Sequence, residues 1–295
     1  MSDHRYYIVT DEAGAARALA LLEPVFEDEG YPIATMEVDE DSGIWEASIY
    51  VTGDPDPAFR EQVRDCLASG FPDPKIEIEE FGDVDWIARS LEGLKPVRAG
   101  RFLVHGAHDR GVVRAHDLAI ELEAGQAFGT GHHGTTAGCL EMIERVMRAG
   151  PHGAAGSGPV LDLGTGSGVL AIAAAMLGPV KVLATDIDPV ATRVAEDNVR
   201  HNRVSGRIDC RTATGFHSTA FGDAGPFRLI IANILARPLM RMAPDIRRHL
   251  APGGSVILSG ILESQRWQVL AAFNGQGLRH VRTLWRNGWV TLHLK

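Results

Sequence analysis

Three glycines spaced by single residues, Gly164, Gly166 and Gly168, follow a short apolar run, Pro159 to Leu163. An alanine-rich stretch, Val169 to Leu177, comes directly after them. Strand, glycine turn and helix in that order open a nucleotide-binding βαβ unit, which can hold a charged ligand at the helix N-terminus. Glycine there permits positive φ and removes the Cβ that would block a ligand. Asp162 stands just before the turn, and Asp186 ends the next apolar run, Lys181 to Thr185. An acid about 20 residues past such a turn is placed to hold a ribose diol. Asp188 competes for that role, but Pro189 follows it, and proline at the first helical position makes Asp188 an N-cap. A tight strand–helix turn with no ligand is the plainer alternative for the glycines taken alone.

The spacing narrows the ligand. A dinucleotide site favours G-x-G-x-x-G, and the sixth position of that pattern is Val169 here. D-x-G-x-G-x-G, from Asp162 to Gly168, instead resembles motif I of the class I S-adenosylmethionine-dependent methyltransferases. A second glycine-rich stretch runs from Gly125 to Thr136. Gly129 and Gly134 mimic a phosphate-binding loop, but Thr135 occupies the lysine position, which argues against phosphate gripping. His132 and His133 are adjacent and point apart, with no nearby acid or cysteine, so no metal site is expected. The loop, including Phe128 and Gly129, can fold over a bound cofactor, and its threonines can cap a helix from Thr136 to Arg148.

The elements that position these residues fall into two groups. Strands at Arg5–Thr10, Ile33–Val38, Ile44–Val51 and Lys75–Phe81 alternate with helices from Asp11 to about Phe26 and from Ala58 to Ala68. The order βαββαβ is the ferredoxin-like arrangement. Asp83 to Leu94 reads as a linker helix, and Gly93, Pro96 and Gly100 mark a boundary. Strands at Arg101–His105 and Leu118–Leu122 lead into an α/β alternation. Pro151 to Gly158 reads as a flexible connector. After the glycine turn come a helix, Val190–His201, and strands at Arg207–Thr212 and Phe227–Ala232, the latter ending at Asn233-Ile234-Leu235-Ala236. A helix from Pro238 to Leu250 is expected to stop at Pro252-Gly253-Gly254. A strand at Ser255–Ile261 and a helix at Glu263–Phe273 follow. Arg279–Trp285 and Trp289–Leu294 flank Arg286-Asn287-Gly288, a hairpin signal. A closing antiparallel hairpin fits a class I methyltransferase better than a dehydrogenase.

Composition sets further bounds. The chain has 295 residues, 45% hydrophobic and 23% charged, and a net charge of −9. No apolar run has signal-peptide or membrane-spanning character. Cys66, Cys139 and Cys210 lie far apart, which fits a reducing compartment and a cytoplasmic protein. Charge is uneven: Met1 to Lys95 holds 23 acids and 7 bases, or −16, and the remainder is +7. Confining acid to one segment points to a basic partner, and argues against that segment gripping nucleic acid. Acidic surface that only aids solubility is the alternative.

With these residues together, the chain resembles the ribosomal protein L11 methyltransferase family over nearly its whole length. The resemblance rests on the acidic ferredoxin-like domain, Leu94-Lys95-Pro96-Val97-Arg98, Ala127-Phe128-Gly129-Thr130-Gly131 with His133 and Thr135-Thr136, Asp162 to Gly168, Asp186-Ile187-Asp188, and Asn233-Ile234-Leu235-Ala236. Gly134 stands where some relatives have proline, and His132 where some have threonine. The resemblance implies a class I (Rossmann-like) domain with a mostly parallel seven-stranded sheet, preceded by the smaller α+β domain. The expected divisions are 1–81 for substrate recognition, 82–100 for the linker and 101–295 for catalysis. It also implies S-adenosyl-L-methionine as cofactor, contacted by Thr136, Gly164, Asp186 and Asn233, with Asp162, Gly166, Phe128 and Gly129 around it. The implied substrate is a basic ribosomal protein, methylated on its N-terminal amine and lysine side chains. No metal, membrane or direct nucleic-acid partner is expected.

The expected chemistry is in-line attack by a neutral amine on an already electrophilic methyl group. The Asn233 side chain and the Ile234 carbonyl are the groups expected to orient that amine, although Asn233 can equally serve as a cofactor contact or a strand-end turn residue. A lysine methyltransferase acting on an electron-transfer flavoprotein subunit resembles the second half, but leaves the acidic first domain unexplained. Adenine methyltransferases carry an aromatic after a similar asparagine to stack the flipped base, and Leu235 and Ala236 follow here. A non-catalytic cofactor sensor is the alternative from another class, separable by a methyl-transfer assay.

Overall fold

The structure, a computed structural model, describes residues 3–27, 31, 33–39, 43–52, 56–81, 96–122, 133–148 and 158–295. The expected linker helix at 83–94, Phe128 and Gly129 in the second glycine-rich loop, and most of the connector at 151–158 lie outside the described residues. The chain divides into two compact units, Met1–Trp86 and Ile87–Lys295. Among the described residues no helix is long and apolar enough to cross a membrane.

In the first unit, strands β1 (Asp3–Thr10), β2 (Ile33–Asp39), β3 (Ile44–Thr52) and β4 (Glu77–Phe81) form one sheet in the order β2-β3-β1-β4. All its pairings are antiparallel. Helices α1 (Glu12–Leu22) and α2 (Pro57–Leu67) complete the ferredoxin-like order. Asp11 caps α1 by accepting the Gly14 N–H at 2.7 Å, and Asp56 caps α2 through the Ala58 N–H at 2.8 Å. Phe59, Val63 and Leu67 of α2, four residues apart, are buried with Tyr6, Ile8, Phe26 and Ile49. The helix expected to reach Phe26 ends at Leu22 and continues as a π-turn, Glu23–Glu27. Pro24 lacks the N–H that would continue the ladder. On the other face of the sheet, Arg5 bridges Glu46 and Glu79, and Tyr7 donates to Glu77.

The second unit opens with β5 (Val97–Ala99), β6 (Phe102–His105) and β7 (Leu118–Glu121) in a small sheet. The linker expected through Gly100 therefore gives way to regular structure at Val97, which pairs with Val104. The main sheet holds β8 (Val160–Leu163), β9 (Val182–Asp186), β10 (Ile208–Thr212), β11 (Phe227–Asn233), β12 (Leu250–Leu262), β13 (His280–Arg286) and β14 (Trp289–Leu294). Their order is β10-β9-β8-β11-β12-β14-β13. Only β14 runs against its neighbours, pairing antiparallel with both β12 and β13. Helices α3 (His133–Arg148), α4 (Val169–Leu177) and α5 (Pro189–His201) pack on one face. Helices α6 (Ala220–Ala224), α7 (Ala236–His249) and α8 (Arg266–Asn274) pack on the other.

Further boundaries differ from expectation: α3 begins at His133 rather than Thr136, and α8 begins at Arg266 rather than Glu263, behind a 3₁₀ turn at Glu263–Gln265. Helix α7 begins at Ala236 rather than Pro238, and β12 begins at Leu250 rather than Ser255. Leu250 pairs with Phe227 and Ser255 with Leu229, so Ala251 to Gly254 are absorbed as a register shift within the strand. Such an insertion is a bulge, which keeps the strand going past a proline and two glycines.

Candidate functional site

The site lies at the C-terminal ends of β8, β9 and β11. Strand order reverses between β8 and β11, which opens a crevice in a doubly wound sheet. All four residues of β8 are buried, so the turn that follows stands on a rigid base. Gly164, Gly166 and Gly168 adopt φ of +72°, +55° and +84°. A Cβ on Gly164 would fall 2.4 Å from the Ile234 side chain, and one on Gly168 would fall 3.2 Å from Ala195 Cα in α5. The glycines thus serve both the turn and two close approaches to it.

Both acids brace this turn. Asp186 accepts the Gly166 N–H at 2.8 Å through one oxygen and the Asp188 N–H at 3.1 Å through the other. Asp188 caps α5, accepting the Val190 N–H at 2.7 Å. Asp162 is fully buried. Its Oδ2 accepts from the Thr165 hydroxyl at 2.6 Å and the Ala171 N–H at 3.0 Å. Its Oδ1 has no partner among the described residues. Burial pushes the Asp162 carboxyl up to about 6.

Asn233 ends β11 and donates its Nδ2 to Thr135 Oγ1 at 3.4 Å, near the start of α3. Thr135 and Thr136 are buried there. Ile234 is held from two sides, because Gly260 of β12 also has positive φ, +78°. A Cβ on Gly260 would sit 2.5 Å from the Ile234 carbonyl oxygen and 3.0 Å from its nitrogen. Gly260 was not among the expected site residues. Its signal is a glycine inside an apolar strand, Val256 to Leu262, which marks close backbone approach. Gly134 lies against the β13–β14 hairpin, where a Cβ would meet the Arg286 carbonyl at 3.2 Å. An Arg286–Glu141 ion pair ties the same hairpin to α3. Asp162, Gly164, Gly166, Asp186, Asn233, Ile234 and Thr136 therefore all belong to segments meeting at this end of the sheet.

A glycine turn at the end of the first strand, an acid ending the second, and a single antiparallel strand between β12 and β13 define a class I S-adenosylmethionine-dependent methyltransferase. The model of the family described as "Ribosomal protein L11 methyltransferase (PrmA)" matches residues 26–295, and the chain belongs to that family. It is 63% identical over 296 residues to the ribosomal protein L11 methyltransferase of Allorhizobium ampelinum, covering 100% of both chains. It is 62% identical to the protein of that name from Agrobacterium fabrum, covering 100% of this chain and 99% of the relative. A solved structure of ribosomal protein L11 methylase from Lactobacillus delbrueckii subsp. bulgaricus superimposes with a TM-score of 0.57 at 32% identity. That match covers 68% of this chain and 97% of the other.

The residues present fit the cofactor. A buried carboxylate oxygen without a partner at Asp162 suits a cationic or hydrogen-bearing group of a ligand. Asp186 accepts one N–H at each oxygen and keeps lone pairs for hydroxyl donors. Asp186→Ala is therefore expected to weaken cofactor binding by about 1.5–3 kcal/mol, the worth of hydrogen bonds to a charged group. Asp188→Ala should instead lower stability by about 1 kcal/mol through the lost cap, with little change in affinity. Calorimetric titration and melting of both variants decide this. Equal losses of affinity would place the diol elsewhere.

The raised Asp162 value has a pH signature. Its folded value lies above the unfolded one, so the native state holds this proton more tightly. The group's contribution is most favourable at acid pH and falls as pH rises from about 4 through about 6. At about pH 7.5 the buried charge destabilises the cofactor-free protein by roughly 2–3 kcal/mol. Asp162→Asn should raise its melting temperature at that pH, raise it less at about pH 5, and weaken cofactor binding. An equal rise at both pH values would show that the carboxylate is compensated within the protein.

Proposed function

We propose that the protein methylates the N-terminal amine and lysine side chains of large-subunit ribosomal protein L11. The observation that supports this reading best is the clamp that holds Asn233 and Ile234 beside the glycine turn. Asp186 would hold the cofactor's ribose, and Gly164, Gly166, Thr136 and Asp162 would hold the rest, with Phe128 and Gly129 in the loop that covers it. When bound, S-adenosyl-L-methionine supplies an electrophilic methyl group on a sulfonium. The protein's task is then to present a neutral amine in line with that methyl.

An α-amine titrates near 8, so an appreciable part is neutral under physiological conditions. Lysine titrates near 10.4, and freeing its lone pair near neutral pH costs roughly 4 kcal/mol, which desolvation reduces. Asn233 Nδ2 is engaged by Thr135, which leaves Asn233 Oδ1 to accept a hydrogen bond from the amine. The Ile234 carbonyl, fixed against Gly260, accepts a second. Two acceptors on the amine's hydrogens aim its lone pair at the methyl. Leu235, half exposed, and Ala236 follow, and neither offers a ring to stack a nucleobase.

The first unit is assigned to substrate recognition, with residues 101–295 carrying catalysis in the cytoplasm. The segment that contains the first unit, Met1 to Lys95, carries a net −16, which complements a basic protein. The test is to incubate the protein with methyl-labelled cofactor and a lysate lacking its activity, then map the labelled positions by mass spectrometry. Label on α- and ε-amines of one small basic ribosomal protein is the expected result. Label on another protein, or none, would sink the assignment.

A further inference from the structure

The second unit carries the opposite charge from the first, and part of it gathers in unpaired form at one sheet edge. Among the described residues strand β13 bonds only to β14, which leaves its other edge unpaired there. Arg279 and Arg282 are exposed at that strand, and neither they nor Arg266 and Lys295 have an ion-pair partner among the described residues. Elsewhere in this unit Arg98, Arg110, Arg148, Arg200 and Arg248 are each paired with an acid, while Arg193, Arg241 and Arg247 are exposed with no ion pair among the described residues, so the β13 edge is set apart by what accompanies its arginines. The local field is positive enough that Lys295, His280 and Arg282 add to burial in holding the His293 ring down to about 4.

Two tryptophans stand in the same place. Trp267 is 71% exposed and Trp285 is 56% exposed. The Arg266 guanidinium lies 4.3 Å from the Trp267 ring centre and 5.6 Å from that of Trp285. Arg266 Nε donates to Thr283 Oγ1 at 3.2 Å, which anchors the guanidinium. Charge on an edge strand is a common defence against sheet-to-sheet aggregation. That role explains Arg282 but not two large exposed rings, which such a defence would exclude.

Rings held by a fixed cation, beside unpaired arginines, are the components that grip a polynucleotide strand: bases stack on aromatic faces and phosphates meet guanidinium groups. We propose that the β13 edge, through Trp267, Trp285, Arg266, Arg279 and Arg282, docks a single-stranded nucleic acid. The expectation of no nucleic-acid contact came from the acidic first segment, and this surface belongs to the other unit.

The test uses the full chain and a labelled, unstructured RNA of about 12 nucleotides, followed by anisotropy and by tryptophan fluorescence at several salt concentrations. Binding in the range of about 10⁻⁴–10⁻⁶ M is expected, with quenched tryptophan emission and a preference for single strand over duplex. Trp267→Ala and Trp285→Ala should each weaken binding about tenfold. Arg282→Glu should weaken it and lower the salt slope by about one. Circular dichroism establishes that the surface variants are folded. The proposal is overturned if RNA does not bind at low salt, if the variants bind like the wild type, or if tryptophan emission is unchanged. It is also overturned if polyglutamate binds as tightly with the same dependence on both tryptophans, which would make the patch a protein-docking surface.

Discussion

Asn233→Ala is expected to lower kcat by about 10²–10³, while the dissociation constant for cofactor rises by less than about tenfold. The asymmetry follows from where the side chain is held. Its nitrogen reaches Thr135 in α3, and its backbone continues into Ile234, which Gly164 and Gly260 pin from two sides. The amide oxygen is thus a preorganised acceptor whose loss leaves the amine free to rotate its lone pair away from the methyl. The ribose contact assigned to Asp186 and the glycine turn remain in place, so cofactor should still bind. Single-turnover methyl transfer and calorimetric titration on the same variant separate the two effects. If affinity collapses and the single-turnover rate at saturating cofactor is unchanged, Asn233 is a cofactor contact and orients nothing.

Removing Met1 to Phe81 should abolish methylation of the intact protein substrate and leave cofactor binding nearly unchanged. Each unit has its own apolar core: Tyr6, Phe26, Ile49 and Phe59 belong to the first, while the layers on both faces of the main sheet belong to the second. A unit with its own core can fold alone. All the described candidate cofactor residues lie in the second unit, and the acidic excess lies in the first. Docking driven by that excess should weaken with salt, since exposed charges are screened beyond about 10 Å at 0.1 M. Wild-type efficiency of the truncated protein on intact substrate would remove the recognition role. A folded truncated protein that no longer binds cofactor would move the site or its boundary. Full-length activity indifferent to salt would transfer docking from charge to apolar contacts.

What the sequence determined by itself was local. The βαβ glycine turn was readable because positive φ at Gly164, Gly166 and Gly168 is a property of each residue and its neighbours. The caps at Asp11 and Asp188 were readable for the same reason, as was the Asn287–Gly288 hairpin, whose φ values of +47° and +78° match its two-residue turn. The alternation that buries Ile76 and sets Glu77 and Glu79 on the opposite face of the sheet was likewise a matter of strand period. Tertiary structure decided what is far apart in the chain. Thr135 reaches Asn233 across 98 positions. Gly260 makes room for Ile234 only because β12 lies beside β11, and β14 enters between β12 and β13 against the direction of both. The bulge that begins β12 at Leu250 exists because Phe227 is there to pair with it. Local residue types carry backbone preference and burial, but which strand lies beside which is settled by packing two apolar layers onto one sheet, and the clamp around Asn233 and Ile234 is a product of that packing.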